Sequence, residues 1–117
     1  MAQTYSGGCQ CGKVRYEVDL DLGEVISCNC SRCGPLGLLL AFAPLSQFRL
    51  KSGEGDLTRF QFHKHVIDHL FCSTCGVQSF ARGKKPDGTE LAAINVRCLK
   101  DVDVDSLPVK KVDGRRL

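Results

Sequence analysis

Residues 7–20 read GGCQCGKVRYEVDL, and two signals in this stretch decide the fold. Val14, Tyr16, Val18 and Leu20 alternate with Lys13, Arg15, Glu17 and Asp19, the period of a strand with one buried face. Just before them stand Cys9 and Cys11, one residue apart. That spacing lets a single tight turn aim two sulfurs at one ion. Gly12 follows the pair; without a Cβ it takes positive φ and turns backbone N–H groups back toward sulfur. A β-structure anchored by metal is the first expectation.

The other cysteines extend it. The eight thiols lie at positions 9, 11, 28, 30, 33, 72, 75 and 98, and all but Cys98 are within three residues of another. Disulfide frameworks spread their cysteines to staple distant loops, whereas close pairs suit tetrahedral zinc with Zn–S near ~2.3 Å. A redox role for Cys72 and Cys75 alone would leave the five upstream cysteines unexplained. Met1 to Gly8 shows no charged segment leading into an apolar one, so no secretory signal is expected. The longest apolar run, Leu38 to Ala43, is far below the ~18 residues a membrane helix requires. The expected compartment is the cytoplasm, where thiols stay reduced.

Composition is ordinary otherwise. The 117 residues are expected to form one domain, 1–117. A hydrophobic fraction of 43% with 25% charge excludes a disordered, highly charged coil. No Trp and 7% aromatics leave few platforms for stacking single-stranded nucleic acid. Further strands are expected at Val25 to Cys28, Leu38 to Phe42 (buried on both faces), Gln47 to Lys51, Leu57 to Phe62, Val66 to Phe71, Val77 to Ala81 and Glu90 to Cys98. Asp103 to Leu107 reads as one helical turn stopped by Pro108. Many short strands at such spacing argue for an all-β open barrel or sandwich.

A closed zinc site takes four ligands, which Cys9 and Cys11 with Cys72 and Cys75 supply. Cys28, Cys30 and Cys33 then remain as a three-ligand cluster, the arrangement of a zinc with an open position. Spacing leaves a second division open, with Cys28 and Cys33 beside Cys72 and Cys75. Cys98 has three readings: fourth ligand of the triplet, second thiol beside it, or buried core residue.

The strings GGCQCGKVRYEV at 7–18, CNCSRC at 28–33, FCSTCGV at 71–77 and NVRCL at 95–99 resemble the family of glutathione-dependent formaldehyde-activating enzymes, which includes the centromere protein V group. The resemblance runs from about Gly7 to Asp113. It implies an Mss4-like all-β fold, a structural zinc at Cys9, Cys11, Cys72 and Cys75, and a second zinc at Cys28, Cys30 and Cys33 with a position left for substrate. The implied activity joins formaldehyde to glutathione as S-hydroxymethylglutathione, or reverses this as a carbon–sulfur lyase.

Such chemistry needs a group to move the hydroxyl proton. His69 is the first candidate and Asp68 the second; His63 and His65 sit near an expected turn and read as solvated. Glutathione carboxylates call for cations, and Arg32 inside the triplet and Arg97 beside Cys98 are the candidates, because guanidinium binds carboxylate bidentately. The alternative is a zinc-stabilised module that binds protein or nucleic acid without catalysis. Against nucleic acid, the cations are scattered, and two divalent ions on seven thiolates cancel the formal charge of +3.

Overall fold

The computed structural model describes residues 2–61 and 67–114. Ten strands make two sheets: β1 (Gln3–Gly8), β2 (Arg15–Leu20), β3 (Val25–Cys28), β4 (Leu40–Pro44), β5 (Phe48–Ser52), β6 (Leu57–Phe60), β7 (Ile67–Cys72), β8 (Phe80–Lys84), β9 (Glu90–Asn95) and β10 (Val109–Val112). One short helix, α1 (Cys33–Leu36), and four 3-10 turns complete the described chain. The smaller sheet has the order β1-β2-β5 and the larger β10-β3-β4-β9-β8-β7-β6. The fold is all-β and Mss4-like, as the resemblance implies. His63, His65, the start of the strand expected from Val66 and the end of the one expected to reach Phe62 lie outside the described residues.

The alternation that opens the chain forms the core. Val14, Tyr16, Val18 and Leu20 are all buried. From β2 the Tyr16 ring lies 5.1 Å from Phe48 of its own sheet and reaches across to the larger one, 5.6 Å from Phe80, with Phe48 and Phe80 4.6 Å apart. Offset and edge-on rings at these separations add to simple area burial. The Tyr16 hydroxyl donates to the Ser79 carbonyl at 2.9 Å, which satisfies its one polar atom inside the core.

Registry defines the opposite face of the larger sheet. Phe42 pairs Ala93, Ala93 pairs Ala81, Ala81 pairs His69 and His69 pairs Phe60. These five side chains form one row, because directly paired residues share a face. Phe42 and Phe60 are 48% and 43% exposed, so the row ends at the surface on both sides. This corrects the reading of Leu38 to Phe42 as buried on both faces. Leu38 and Leu39 are buried, but they precede β4, and Phe42 lies on its open side.

Other boundaries moved for visible reasons. The strand expected over Val77 to Ala81 begins at Phe80, since the preceding backbone bonds sideways: Gln78 O accepts from Asn95 Nδ2, and Ser79 O from Asn95 N. The strand expected to reach Cys98 stops at Asn95. There the Asn95 side chain accepts the Arg97 N–H at 3.2 Å and starts a 3-10 turn, Val96–Cys98. The helical turn expected near Asp103 is present at Val104–Ser106. Strands β1 and β10 were not anticipated. β1 carries the polar run Gln3-Thr4-Tyr5-Ser6, and β10 is mostly exposed, so neither shows the alternation of a half-buried strand.

Candidate metal centres and the adjoining site

Two cysteine clusters could hold a metal ion: Cys9, Cys11, Cys72 and Cys75, and Cys28, Cys30 and Cys33. Within each, all sulfurs lie within 4.8 Å of one another. The alternative division of the cysteines is not the one adopted.

The first cluster forms where the turn between β1 and β2 meets the turn after β7. Gly12 and Gly76 follow the two pairs with φ of 85° and 80°, which lets each turn fold tightly over its sulfurs. Cys11 Sγ is 3.6 Å from both Cys9 Sγ and Cys72 Sγ. A tetrahedron with Zn–S of ~2.3 Å has edges of ~3.8 Å, so these spacings fit. Backbone N–H groups point at sulfur as well: Val14 N to Cys9 Sγ at 3.3 Å, Thr74 N and Cys75 N to Cys72 Sγ at 3.4 and 3.5 Å. Backbone N–H groups of Val77 and Cys11 bring the Cys75 thiol down to about 6. For Cys11 the Lys13 N–H pulls the same way, but desolvation and the surrounding thiols push it up to about 11. Four sulfurs this close do not all ionise without a cation between them.

The triplet is built by the end of β3 and the start of α1. Cys28 closes the strand and Cys33 opens the helix. Cys33 N donates to Cys30 Sγ at 3.3 Å, and Gly34 N to Cys30 O at 2.9 Å. Burial opposes ionisation of Cys30, yet the N–H groups of Cys33 and Arg32 hold its thiol below the ordinary value. Burial, with Cys30 alongside, pushes Cys33 up to about 12. A donor set of three sulfurs, one of them held below its ordinary pKa, fits a soft divalent ion.

Cys98 joins neither cluster. Leu99 bridges Gly7, and Lys100 N donates to Ser6 O at 2.9 Å; these contacts draw the turn holding Cys98 toward the end of β1. Burial raises its thiol to about 11, with the charges of Cys9 and Cys75 adding to the shift. Cys98 is thus a neighbour of the four-cysteine cluster, and its reading as fourth ligand of the triplet is corrected.

Arg32 sits between two triplet cysteines and folds back over the open sheet face. Its guanidinium carbon is 5.0 Å from the Phe60 ring centre and 5.7 Å from that of Phe71, within cation–π range. Nε and Nη2 both donate to Gln78 Oε1, at 3.1 and 2.8 Å. Gln78 Nε2 lies 3.4 Å from His69 Nδ1, and both residues are buried. A continuous chain thus runs from Arg32 through Gln78 to His69. Desolvation, then the Arg32 charge, holds His69 below its ordinary pKa, with Asp68 opposing.

The remaining candidates point elsewhere. Asp68 follows the strand alternation to the other face of β7. It accepts from Gln61 Nε2 and lines a basin of about 730 Å³ with Arg59, Arg82 and Lys84. His69 and Asp68 therefore do not share a site. Arg97 donates Nε to Gly37 O at 3.1 Å, which fastens the chain at the end of α1 opposite the triplet.

The model of the family described as glutathione-dependent formaldehyde-activating enzyme matches residues 4–112. The chain belongs to this family. It is also similar to a solved structure of a Rhodobacter sphaeroides protein, with 33% identity, a TM-score of 0.77, and coverage of 90% of this chain and 99% of that one.

Three parts of this family member's site were not anticipated. Phe71 shares a face with His69 through strand alternation, a signal present in the sequence, whereas Phe60 joins them only through the pairing of β6 with β7. Gln78 has no such signal, because it lies in irregular backbone. Gly114 is the third. β10 runs parallel to β3, pairing Val112 with Cys28. Asn29 N donates to Val112 O at 3.2 Å and Asn29 Nδ2 to Asp113 Oδ1 at 3.0 Å. Gly114 then passes so close to Cys28 Sγ that a Cβ there would overlap the sulfur, and would come within 3.1 Å of Cys30 Cβ. Gly114→Ala is expected to destabilise this clamp by ~1–3 kcal/mol, the usual scale of overpacking. Hydrogen exchange of the Asn29 amide should quicken at least ~5-fold, and metal should dissociate faster from the triplet than from the four-cysteine cluster.

Proposed function

We propose that this chain is a zinc-dependent carbon–sulfur lyase-like enzyme acting on an aldehyde–thiol adduct such as S-hydroxymethylglutathione. The observation that carries the reading is the Arg32 guanidinium, buttressed by two aromatic rings beside a three-cysteine cluster. Cys9, Cys11, Cys72 and Cys75 hold a structural zinc in this reading, and Cys28, Cys30 and Cys33 hold a second. Zinc bound at the triplet supplies a Lewis acid that favours thiolate over thiol at neutral pH and polarises a nearby oxygen.

The protein's own groups do the rest. Arg32 has five N–H donors; Nε and one Nη2 hydrogen go to Gln78, and the others are available to a substrate carboxylate. Cation–π contacts with Phe60 and Phe71 and the two bonds to Gln78 hold the guanidinium in place, so a carboxylate meets a preset fork. In the lyase direction the carbon–sulfur bond breaks and its electron pair stays on sulfur. The hydroxyl proton passes to solvent water as the carbonyl of formaldehyde forms. His69, on the same sheet face and tied to Arg32 through Gln78, is the group assigned to that oxygen. Close pairs of unbridged thiols suit a reducing, cytoplasmic setting.

Glutathione titrated into the metal-loaded protein, followed by calorimetry and NMR, tests the reading. Binding at millimolar thiol or below is expected, with resonances around Arg32, Phe60 and Phe71 shifting. No binding at millimolar glutathione overturns it. Arg32→Met is expected to raise KM for S-hydroxymethylglutathione by ~10–100-fold, the value of a charged hydrogen bond, while metal content stays at two equivalents.

A further inference from the structure

We propose that Gln78 is a positioning residue that holds His69 as the neutral tautomer with its proton on Nε2, so that His69 acts as a hydrogen-bond donor and not as a base. Only the catalytic consequence rests on the function proposed above.

The argument is one of donor and acceptor counts. An arginine side chain has donors alone, so the Gln78 atom facing Arg32 must be its carbonyl oxygen. That oxygen has two acceptor sites, and Arg32 Nε and Nη2 fill both, at 3.1 and 2.8 Å. The amide cannot turn over without setting its NH2 against a cation. The NH2 is therefore the group 3.4 Å from His69 Nδ1, and it can only donate. Nδ1 must accept. In a neutral imidazole whose Nδ1 accepts, the proton resides on Nε2.

Two further features hold the arrangement. The Gln78 carbonyl oxygen of the main chain accepts from Asn95 Nδ2 at 3.1 Å, which anchors the residue to β9. Protonating Nδ1 would face an N–H against an N–H, in a buried place and near the Arg32 charge. Desolvation and Arg32 both oppose the cation, and Asp68, on the far face of β7, opposes them only in part. The consequence for chemistry is specific. A neutral imidazole with Nε2–H stabilises a developing negative charge on oxygen by hydrogen bonding. It does not collect the hydroxyl proton at Nδ1.

Long-range proton–nitrogen correlation NMR on the full chain with its metal, without substrate, reads the tautomer directly. The chain has three histidines, and His69→Gln identifies the signal. The expected spectrum at neutral pH shows Nε2 protonated and Nδ1 bare. Gln78→Glu replaces the donor with an acceptor; His69 should then carry a proton on Nδ1, and its midpoint should rise by about one pH unit or more. Arg32→Met frees the amide to turn, and both tautomers should appear. A wild-type spectrum with Nδ1–H or imidazolium at neutral pH overturns the proposal, whether or not either variant folds. So does a folded Gln78→Glu or Arg32→Met protein with the wild-type pattern. None of these readouts uses turnover, so failure of the lyase reading would leave them intact.

Discussion

Cys72→Ser is expected to lose one of two metal equivalents and to cost upward of ~4 kcal/mol, enough to unfold much of a domain whose whole stability is ~5–15 kcal/mol. Cys72 is 1% exposed, and its sulfur accepts two backbone N–H bonds while lying 3.6 Å from Cys11 Sγ. Cys11 and Cys72 are 61 positions apart in sequence. An ion bound between them would fasten the β1–β2 turn of the small sheet to the end of β7 in the large one. Removing one ligand frees a long loop and leaves three crowded thiols around a weakened ion. Binding free energy at such a site is folding free energy. Denaturant titration with parallel metal quantitation checks this; a stable, folded Cys72→Ser protein with both metals would refute it.

Cys33→Ser should behave in the opposite way. One metal equivalent is lost again, but the expected stability change is only ~1–2 kcal/mol. The triplet belongs to one short stretch of chain, Cys28 to Cys33, so an ion held there would bridge no distant elements. Turnover of S-hydroxymethylglutathione should fall by roughly 10²–10³-fold, the loss of several kcal/mol of charge stabilisation. Far-UV circular dichroism should stay unchanged. If both variants unfold alike, or both fold and turn over alike, the division into a structural and an open site is wrong.

Much of this arrangement was legible because cysteine spacing is itself geometry. CxC at 9–11 and CxxC at 72–75 each require a tight turn, and a tight turn presents two sulfurs to one side. The alternation from Val14 to Leu20 likewise set the buried face of β2 without ambiguity. The phase of a strand, by contrast, is relative. Asp68 and His69 looked like neighbours in the chain, yet consecutive strand residues lie on opposite faces, and only the pairing of His69 with Phe60 and Ala81 says which face meets Arg32. Cys98 was left with three readings for a similar reason. Its location depends on the long-range bridge from Gly7 to Leu99, which no local pattern encodes. Gln78 was invisible because its role comes from three partners, Arg32, His69 and Asn95, drawn from three separate elements.

The parallel pairing of β10 with β3 has a consequence for the order in which the protein is made. The four-cysteine set is complete in the chain by residue 75. β3, which carries the first sulfur of the triplet, lacks its outer neighbour until residues 109–112 have been synthesised, and Gly114 comes later still. Chains emerge N-terminus first, and closing a long contact is slow relative to local turns. The four-cysteine cluster can therefore take up an ion before β10 is made, whereas the triplet gains its final wall only once β10 and Gly114 have emerged. A nascent chain stalled before β10 would already grip one ion tightly and would still exchange the other with its surroundings.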